Sequence, residues 1–430
     1  MIESLIGFAV FLLLAFLGIP LGFAMIAVGF VGFGLVRGWT ASMEMVAQII
    51  VDISMSHGFS VLPLFVLMGA FVFVSGLSDE LYDTAHAWLG HYRGGLAMAT
   101  VAACGGFAAV SGSSLATAAT MAKVAMPSMR RYNYSESLAS GAIAAGGTLG
   151  ILIPPSVALV IYGLLANEDI GALFIAGIIP GIVTILLYLM TISVVTRINP
   201  RAGPRGPVVS WGIRVRSLSK VWGVVVLFVL IIGGIYIGFF TPTEAGGMGA
   251  VGALIFALVR RRINWSQFLA ALIEAGRTTA MIFCVAFGAL IISNFVNVAG
   301  MTGMLVTTVE SLDVPPIGVV LAILGIYLVL GCVFDGMVMI LVTIPVFAPV
   351  VAALGLNMIW FGILVTIAVE VAAITPPIGM NVFVLKTVLP ELKLGVIYRG
   401  ILPFFVADLI RLSLVLLVPS IPLFLPSLMG

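Results

Sequence analysis

The chain has 430 residues, of which 62% are hydrophobic and only 8% carry a charge. Soluble domains contain about 25% charged residues, so this composition excludes a soluble globular protein. Nineteen basic and seventeen acidic residues give a net charge of +2, which is too balanced for a nucleic-acid-binding surface. The 49 glycines and 21 prolines lie largely within the apolar segments. We therefore expect a polytopic membrane protein whose helices are repeatedly interrupted.

Ten apolar segments are candidates for spanning helices, which need about 20 residues. They cover residues 3–18, 20–36, 58–76, 136–165, 171–196, 221–240, 243–259, 278–297, 358–385 and 400–425. The first follows Met1-Ile2-Glu3-Ser4 without a basic region or a cleavage site, so we expect a retained helix. Segments 42–54 and 265–276 are amphipathic and are predicted to lie in the membrane interface. The alternative for these two is the polar end of a long tilted helix.

The distribution of lysine and arginine among the loops predicts the orientation. The segment Arg197–Lys220 carries six basic residues and no acidic residue, and it is rich in proline and glycine. It is predicted to be a cytoplasmic linker between two halves. Arg130-Arg131, Arg260-Arg261-Arg262 and the loop Lys386–Arg399 then also lie in the cytoplasm. Ten crossings place both termini outside, in the periplasm.

A shift of 222 positions superposes several helix-breaking residues of the chain on one another. It places Pro20 on Pro242, Pro127 on Pro349, Pro154 on Pro376 and Pro155 on Pro377. We therefore expect two repeats, residues 1–170 and 223–392, with a connecting helix and linker at 171–222 and a C-terminal helix at 393–430. Four crossings in each repeat and a fifth at 171–196 make the second repeat inverted, as in many secondary transporters.

Each repeat is expected to contain scaffold helices, a re-entrant hairpin and a broken helix. In the first repeat these are residues 1–76, 94–129 and 136–165, and in the second they are 223–297, 316–349 and 358–385. The hairpin arms have about fifteen residues and reach about 22 Å, which is less than the roughly 30 Å hydrocarbon core. Exposed turns cannot lie in lipid, so both tips must be buried in protein or face a wet cavity.

The two predicted tips are Ala109–Ser114 and Gly331–Gly336. Ser113 and Asp335 are equivalent under the shift, and each is placed to cap the returning arm through a side-chain oxygen. That capping role is compatible with ligand contact. An aspartate at membrane depth is costly, which favours a functional role for Asp335.

A double proline interrupts the helix that follows each hairpin, at Pro154-Pro155 and at Pro376-Pro377. Two prolines remove two amide donors and leave several carbonyls free. Free carbonyls together with hydroxyl groups offer the hard oxygen ligands that Na⁺ requires, as at unwound transporter helices. The alternative for each site is a simple kink that neighbouring helices repair.

Other polar residues within the apolar segments are weaker indications of a functional site. Asp408 and Arg411 have i, i+3 spacing and are predicted to pair. Glu370 could sense protons, but a salt bridge or a solvated cavity wall is the expected role. No Walker motif, nucleophile elbow or zinc signature is present, so we expect neither an enzyme nor a bound cofactor.

Four motifs carry a specific resemblance to a known family. They are Ser111-Gly112-Ser113-Ser114, then 147–156, then Thr241-Pro242-Thr243-Glu244-Ala245-Gly246, and then 375–381. In this order they resemble the large membrane (permease) subunit of tripartite ATP-independent periplasmic (TRAP) transporters, over essentially the whole chain.

The resemblance implies an all-α elevator-type fold and Na⁺-coupled uptake of an organic acid across the bacterial inner membrane. The acid would be a C4-dicarboxylate, sialic acid or another sugar acid. A periplasmic binding protein would deliver it, and a separate small four-helix membrane subunit would support the scaffold. The alternative is a stand-alone Na⁺/carboxylate symporter of a related inverted-repeat fold. A channel or a membrane-embedded enzyme is the hypothesis from another class.

The resemblance also implies two Na⁺ sites, with Na⁺ as the coupling ion and the sole metal. The first site would use Ser111, Ser113, Ser114, Gly150, Ile153 and Pro155. The second would use Gly331, Ala372 and Thr375, with Ile378 or Met380 nearby. The candidate substrate-binding residues are Ser113, Ser114, Ser156, Asp335, Thr375 and Asn381.

Overall fold

The computed structural model describes residues 2–311, 314–331 and 334–429, and every regular element in these ranges is helical. The all-α prediction is therefore confirmed. The first helices are α1 Ile2–Phe16, α2 Leu21–Arg37, α3 Trp39–Met55, α4 Val61–Val74, α5 Leu77–Leu89, α6 Gly95–Ser111, α7 Ser114–Arg131, α8 Glu136–Leu152, α9 Val157–Ala166 and α10 Ile170–Ile198.

The second half of the chain continues in the same way. Its helices are α11 Trp211–Leu218, α12 Trp222–Phe228, a π-helical turn Val229–Gly233, α13 Gly234–Tyr236, α14 Pro242–Val259, α15 Trp265–Val298, α16 Met301–Ser311, α17 Pro316–Leu330, α18 Gly336–Ala353, α19 Met358–Ile374, α20 Met380–Val388, α21 Leu394–Leu417, α22 Ser420–Leu423 and a 3₁₀ turn Pro426–Leu428.

The lengths and composition of these helices are those of a multi-pass membrane protein. In the described ranges six helices are long and apolar enough to cross a membrane, or up to eight if each bent pair is one span. The pair α4–α5 is bent by 65° and the pair from α11 to α13 by 40°. Five further apolar helices, α1, α2, α6, α17 and α19, have 15 to 17 residues. The total of ten crossings stays a prediction.

The prediction of a separate interfacial helix at 265–276 is wrong. These residues form the first part of α15, a single helix of 34 residues, which is the alternative stated above. Asn264 accepts from the Gln267 amide at 2.8 Å, and Gln267 accepts from the Asn264 amide at 2.9 Å, so a capping box starts the helix here. Segment 42–54, in contrast, lies in its own helix α3, which Gly38 at φ +98° separates from α2.

Two polar helices, α5 and α11, are absent from the sequence prediction because neither has the composition of a span. They pack against each other: Thr84 donates to the Ser217 carbonyl at 3.0 Å, and Trp88 Nε1 donates to the Arg214 carbonyl at 3.2 Å. The segment predicted as a cytoplasmic linker therefore contains the helix α11.

Ion pairs bring together the loops that are predicted to be cytoplasmic. Arg260 pairs with Glu80 of α5, and Lys220 lies 3.6 Å from Asp83 of the same helix. The acidic side chains of α5 thus face the basic loops, which places these segments on one side of the molecule.

Small residues allow close packing in two groups of helices. In the first, α2 packs on α15, and a methyl group at Gly29 would lie 2.6 Å from the Ile292 amide nitrogen. In the second, α6, α7, α10, α19 and α21 surround α8, and a methyl group at Gly141 would lie 2.2 Å from the Gly400 carbonyl oxygen. Such backbone contact is typical of helix pairs in membranes. The second group holds both helix breaks.

Candidate functional site

Two helical hairpins each lie beside a broken helix. The first hairpin is α6–α7, with its turn at Gly112 and Ser113, and the first break separates α8 from α9 at residues 153–156. The second hairpin is α17–α18, and the second break separates α19 from α20 at residues 375–379. Cys332 and Val333 of the predicted second tip lie outside the described residues.

The first hairpin tip touches the first break through backbone atoms. A methyl group at Gly150 would lie 2.6 Å from the Ser113 carbonyl carbon and 2.9 Å from the Ser114 amide nitrogen. A methyl group at Gly112, whose φ is +62°, would lie 2.5 Å from the Pro155 carbonyl oxygen. Only glycine permits this approach at either position. Five of the six residues predicted for the first Na⁺ site are therefore adjacent in space or in sequence at this contact, and Ile153 lies at the start of the break.

The hydroxyl groups at the first tip form a short chain of hydrogen bonds. Thr117 donates to the Ser113 carbonyl at 2.7 Å, and its Oγ1 lies 3.2 Å from Ser111 Oγ. Since Thr117 has one hydroxyl proton, Ser111 is the donor in the second bond, and its own oxygen retains lone pairs. Ser113 accepts from the Ala116 amide at 3.4 Å, which confirms the predicted cap. Sequence reasoning missed Thr117, although its position four residues after Ser113 was visible.

The second tip touches α19 shortly before the second break. A methyl group at Gly331 would lie 2.0 Å from Ala372 Cβ, and one at Gly336 would lie 2.4 Å from Val369 Cγ1. Asp335 accepts from the Met337 amide at 3.1 Å, so its predicted capping role is also confirmed. Gly331 and Ala372, two residues of the predicted second Na⁺ site, are therefore in direct contact.

Polar side chains form hydrogen bonds with some of the backbone carbonyls at and just before the second break. Thr375 donates to the Val371 carbonyl at 2.6 Å, and its oxygen keeps lone pairs for a further partner. The Tyr398 hydroxyl of α21 lies 2.7 Å from the Pro377 carbonyl oxygen and 2.9 Å from that of Ile378. Tyr398 was missed by sequence reasoning because it lies in another helix and carries no motif. Met380, the last residue predicted for this site, begins α20.

The candidate substrate residues differ in whether their polar side-chain atoms already have hydrogen-bond partners. Ser156 is buried, donates to the Ile151 carbonyl and caps α9 by accepting from Leu159 at 3.3 Å, so its position supports the break. Asn381 is also buried, and its Nδ2 donates to the Ala144 carbonyl of α8 at 3.1 Å. In the described part of the chain Asn381 Oδ1 has no hydrogen-bond partner.

Asn381 connects the two breaks. It lies one residue into α20, after the second break, yet it contacts α8, which precedes the first break. A methyl group at Gly147 would lie 3.1 Å from Asn381 Nδ2 and 2.7 Å from Ala118 Cβ of α7. The free amide oxygen is thus held between the first hairpin, α8 and α20.

The donor set at both breaks consists of neutral oxygen atoms. Among the described residues no group of three His, Cys, Asp or Glu side chains could hold a metal ion. Both breaks instead present carbonyl and hydroxyl oxygens, which are ligands for hard cations and not for soft metals.

The predicted ion pair of the last helix is confirmed. Arg411 lies 3.0 Å from Asp408 at i, i+3 spacing and 2.7 Å from Glu370 of α19. All three side chains have 0% exposure. Glu370 therefore forms a salt bridge, which is one of the two roles expected of it.

Comparison with known proteins agrees with this architecture. Residues 8–421 match the family described as "Tripartite ATP-independent periplasmic transporter, DctM component". The chain is 36% identical over 371 residues to the C4-dicarboxylate TRAP transporter large permease protein DctM of Pseudomonas aeruginosa, covering 86% of each chain. It is 31% identical to the sialic acid TRAP transporter large permease protein SiaM of Vibrio cholerae, covering 100% of this chain and 99% of that protein.

A solved structure with a similar fold is that of the Alcanivorax borkumensis YdaH transporter. It has a TM-score of 0.62 at 15% identity, and the alignment covers 89% of each chain. This likeness concerns the fold alone. The relatives are named as transporter permeases, which confirms that the chain is not an enzyme and favours the TRAP hypothesis over a stand-alone symporter. The chain belongs to the TRAP transporter family, as a large membrane (permease) subunit.

Proposed function

We propose that this subunit carries out Na⁺-coupled uptake of an organic acid across the bacterial inner membrane. The observation that carries the proposal is the pair of contacts between a hairpin tip and a helix break, Gly150 with Ser113 and Gly331 with Ala372. The first contact lies beside backbone carbonyls and the hydroxyls of Ser111 and Thr117, and the second lies about one helical turn before the Thr375 hydroxyl and the carbonyls of the second break. Such groups bind Na⁺ at unwound helices of other transporters.

The first Na⁺ is proposed to bind between Ser111, Ser113 and Ser114 of the tip and Gly150, Ile153 and Pro155 of the break. The second is proposed to bind between Gly331 of the tip and Ala372, Thr375 and Ile378 or Met380 of the break. The lone pairs left on Ser111 and Thr375 support these assignments, because both hydroxyls donate their proton elsewhere. Binding of Na⁺ would then fix each tip against its break.

The substrate is proposed to bind between the two breaks, near Ser113, Ser114, Ser156, Asp335, Thr375 and Asn381. The hairpins and broken helices carry arginine only at the last two positions of α7, Arg130 and Arg131, at the end of the helix opposite to the tip. A carboxylate would therefore interact with helix N-termini, hydroxyl groups and bound Na⁺. Asn381 is the strongest of these candidates, since its amide oxygen is buried and free to accept a hydrogen bond from a substrate hydroxyl, amide or ammonium group.

Both relatives described above are named for carboxylate-bearing solutes, a C4-dicarboxylate and sialic acid. We place the substrate of this chain in the same chemical class. A soluble periplasmic binding protein would deliver it, and a small four-helix membrane subunit, a separate polypeptide, would complete the complex in the bilayer. The basic loops would face the cytoplasm and both termini the periplasm.

The proposed movement is an elevator motion of one helix group against the other. The group around α8 contains both breaks and the first hairpin, and the second hairpin packs on α19 of this group, whereas α2, α4, α14 and α15 pack together as a second group. A group that carries its ligands on backbone and hydroxyl oxygens, within an apolar body, can cross the bilayer without exposing net charge to lipid.

The test is uptake by the reconstituted complex. The chain, its small subunit and the binding protein are placed in proteoliposomes, with candidate acids chosen by thermal shift of the binding protein. An inward Na⁺ gradient should drive accumulation, and an equal K⁺ gradient at matched membrane potential should not. Uptake that is indifferent to Na⁺ would contradict the coupling. Uptake without the binding protein at an equal rate would contradict its delivery role.

A further inference from the structure

Arg214 of α11 is a buried cation whose neighbours carry no negative charge. Only 8% of its surface is exposed, and its Nη2 lies 3.3 Å from His91 Nδ1. Because a guanidinium can only donate, His91 is the acceptor in this bond. The guanidinium carbon lies 5.4 Å from the centre of the Trp211 ring, which gives a cation–π contact. Nε is buried and has no hydrogen-bond partner in the described part of the chain.

The acidic side chains of the neighbouring helix α5 are paired with other cations. Glu80 pairs with Arg260, and Asp83 lies 3.6 Å from Lys220. Among the described residues no carboxylate forms an ion pair with Arg214. A buried charge without a counter-ion is costly. The surroundings of Arg214 therefore favour an anion that this chain does not itself supply.

The start of α11 adds further donors beside Arg214. Ser210 makes no side-chain cap there, and within the described ranges the backbone amides of Trp211 and Gly212 have no hydrogen-bond partner. Unpaired amides at the start of a helix favour an anion. Helical side chains point back towards the N-terminus, and Arg214 lies over Trp211, so its guanidinium and these amides are at the same end of α11.

The outer face of α11 is apolar. Trp211, Val215 and Leu218 follow one another at i, i+4 and i+7 spacing, and they are 68%, 60% and 47% exposed. Arg214 and Ser217, in contrast, are buried on the side that packs against α5. An apolar stripe with an exposed tryptophan is typical of a helix at the membrane interface, where acyl chains cover the stripe and headgroups lie level with the cation.

The charge of the surrounding segment indicates which lipids it attracts. Residues Arg197–Lys220 include six basic and no acidic side chains, and Arg205 and Arg216, before and after the start of α11, are both exposed. Basic segments beside membrane helices attract anionic lipids, and basic pockets on the cytoplasmic side bind their headgroups.

We propose that Arg214 and the start of α11 bind the phosphate group of an anionic phospholipid, with the acyl chains along Trp211, Val215 and Leu218. Since α5 packs on α6 and α7, a lipid bound here anchors the base of the first hairpin to the membrane through the α5–α11 pair. The proposal concerns a site apart from both helix breaks, so it does not depend on Na⁺ coupling.

The test is native mass spectrometry of the complex of this chain with its small subunit, titrated with phosphatidylglycerol and, separately, with phosphatidylcholine. Wild type should bind one phosphatidylglycerol molecule more tightly than any phosphatidylcholine. Arg214→Gln should raise the Kd of that molecule roughly tenfold, the factor that one hydrogen bond to a charged group contributes. Arg214→Lys keeps the charge and should weaken binding less.

Arg216→Gln is the matched control. It removes the same charge from the same helix, but its side chain is exposed, so the Kd should stay within about twofold of wild type. If Arg216→Gln weakens binding as strongly as Arg214→Gln, only the overall charge of the segment matters and the proposed site is wrong.

A second measurement needs no variant and decides the question if Arg214→Gln does not assemble. Phosphatidylglycerol with a photoreactive group in its acyl chain is crosslinked to the wild-type complex in proteoliposomes, and the labelled peptides are identified. The peptide that contains residues 211–218 should be labelled, and unlabelled phosphatidylglycerol should compete more strongly than phosphatidylcholine. Labelling that avoids this peptide overturns the proposal.

Two other anions give different results. If inorganic phosphate in excess displaces the bound phosphatidylglycerol, the site takes a small phosphate and the lipid assignment is overturned. If Arg214→Gln binds the lipid as wild type does but loses the small subunit, the guanidinium pairs with a carboxylate of that subunit. All lipid titrations are done without Na⁺, so their failure leaves the proposed transport function standing.

Discussion

Gly150 of α8 and Ser113 at the first hairpin tip are in direct backbone contact. A methyl group on Gly150 would lie 2.6 Å from the Ser113 carbonyl carbon and 2.7 Å from its oxygen. Neither atom belongs to a flexible side chain, so the tip itself would have to move. The contact therefore makes the geometry of the first proposed Na⁺ site sensitive to a single carbon atom.

Gly150→Ala should displace the tip and weaken Na⁺ activation of uptake. Overpacking of this kind typically costs about 1–3 kcal/mol, which corresponds to roughly a fivefold to hundredfold rise in the Na⁺ concentration for half-maximal uptake. Gly276→Ala in α15 is the control, because a methyl group there meets nothing within 4 Å. If Gly150→Ala leaves the Na⁺ dependence of uptake unchanged, the contact between Gly150 and Ser113 is not part of the ion-binding site.

Thr375→Ala should weaken the Na⁺ dependence of uptake, since it removes the one hydroxyl at the second break that is proposed as a ligand. Thr375→Ser keeps the oxygen and should retain the response. Thr366→Ala is a closely matched control: its hydroxyl donates to the Gly362 carbonyl at 2.8 Å, as that of Thr375 donates to Val371 at 2.6 Å, but it lies more than two turns from the break. Equal effects of the two alanine variants would show that only helix packing was lost.

Tyr398→Phe should loosen the second break without changing the shape of the side chain. The hydroxyl reaches two carbonyls, those of Pro377 and Ile378, and a net hydrogen bond contributes about 0.5–1.5 kcal/mol. We expect a rise of roughly twofold to tenfold in the Na⁺ concentration for half-maximal uptake, with the maximal rate less affected. Tyr92→Phe, at an exposed position away from both breaks, should leave uptake at the wild-type level.

The breaks and caps could be predicted from the sequence, whereas the contacts between distant segments could not. Double prolines and a serine or aspartate at a turn act locally, through missing amide donors and free helix N-termini, so Pro154, Pro376, Ser113 and Asp335 were correctly interpreted. Tyr398 supports a break some twenty residues away, and that relationship depends on packing in three dimensions.

Long helices and polar helices were harder to predict from the sequence than the breaks and caps. Segment 265–276 is predicted as a separate helix because its amphipathic pattern differs from the apolar residues after it, but nothing in the backbone interrupts α15. Helices α5 and α11 have too many charges to be read as spans, and they are ordered by contact with each other, as Thr84 and Ser217 show. Periodicity cannot reveal a helix that is stabilised mainly by a partner.

Arg411→Met should destabilise the protein more than any of the single substitutions above. It leaves Glu370 and Asp408 buried without a cation, and removal of one partner from a buried ion pair typically costs about 3–5 kcal/mol. We expect little assembled protein, measured by size-exclusion chromatography and thermal unfolding in detergent. Arg130→Met is the control, because its pairs with Glu136 and Glu391 are half-exposed and such pairs contribute about 0–1 kcal/mol.

The triple variant Arg411→Met, Glu370→Gln, Asp408→Asn distinguishes charge imbalance from lost packing. Because it removes all three buried charges together, assembly and the unfolding temperature should recover well above those of Arg411→Met alone. A triple variant as unstable as the single one would show that the guanidinium stabilises the fold through its bond to Thr184 and its packing, and not through the two carboxylates.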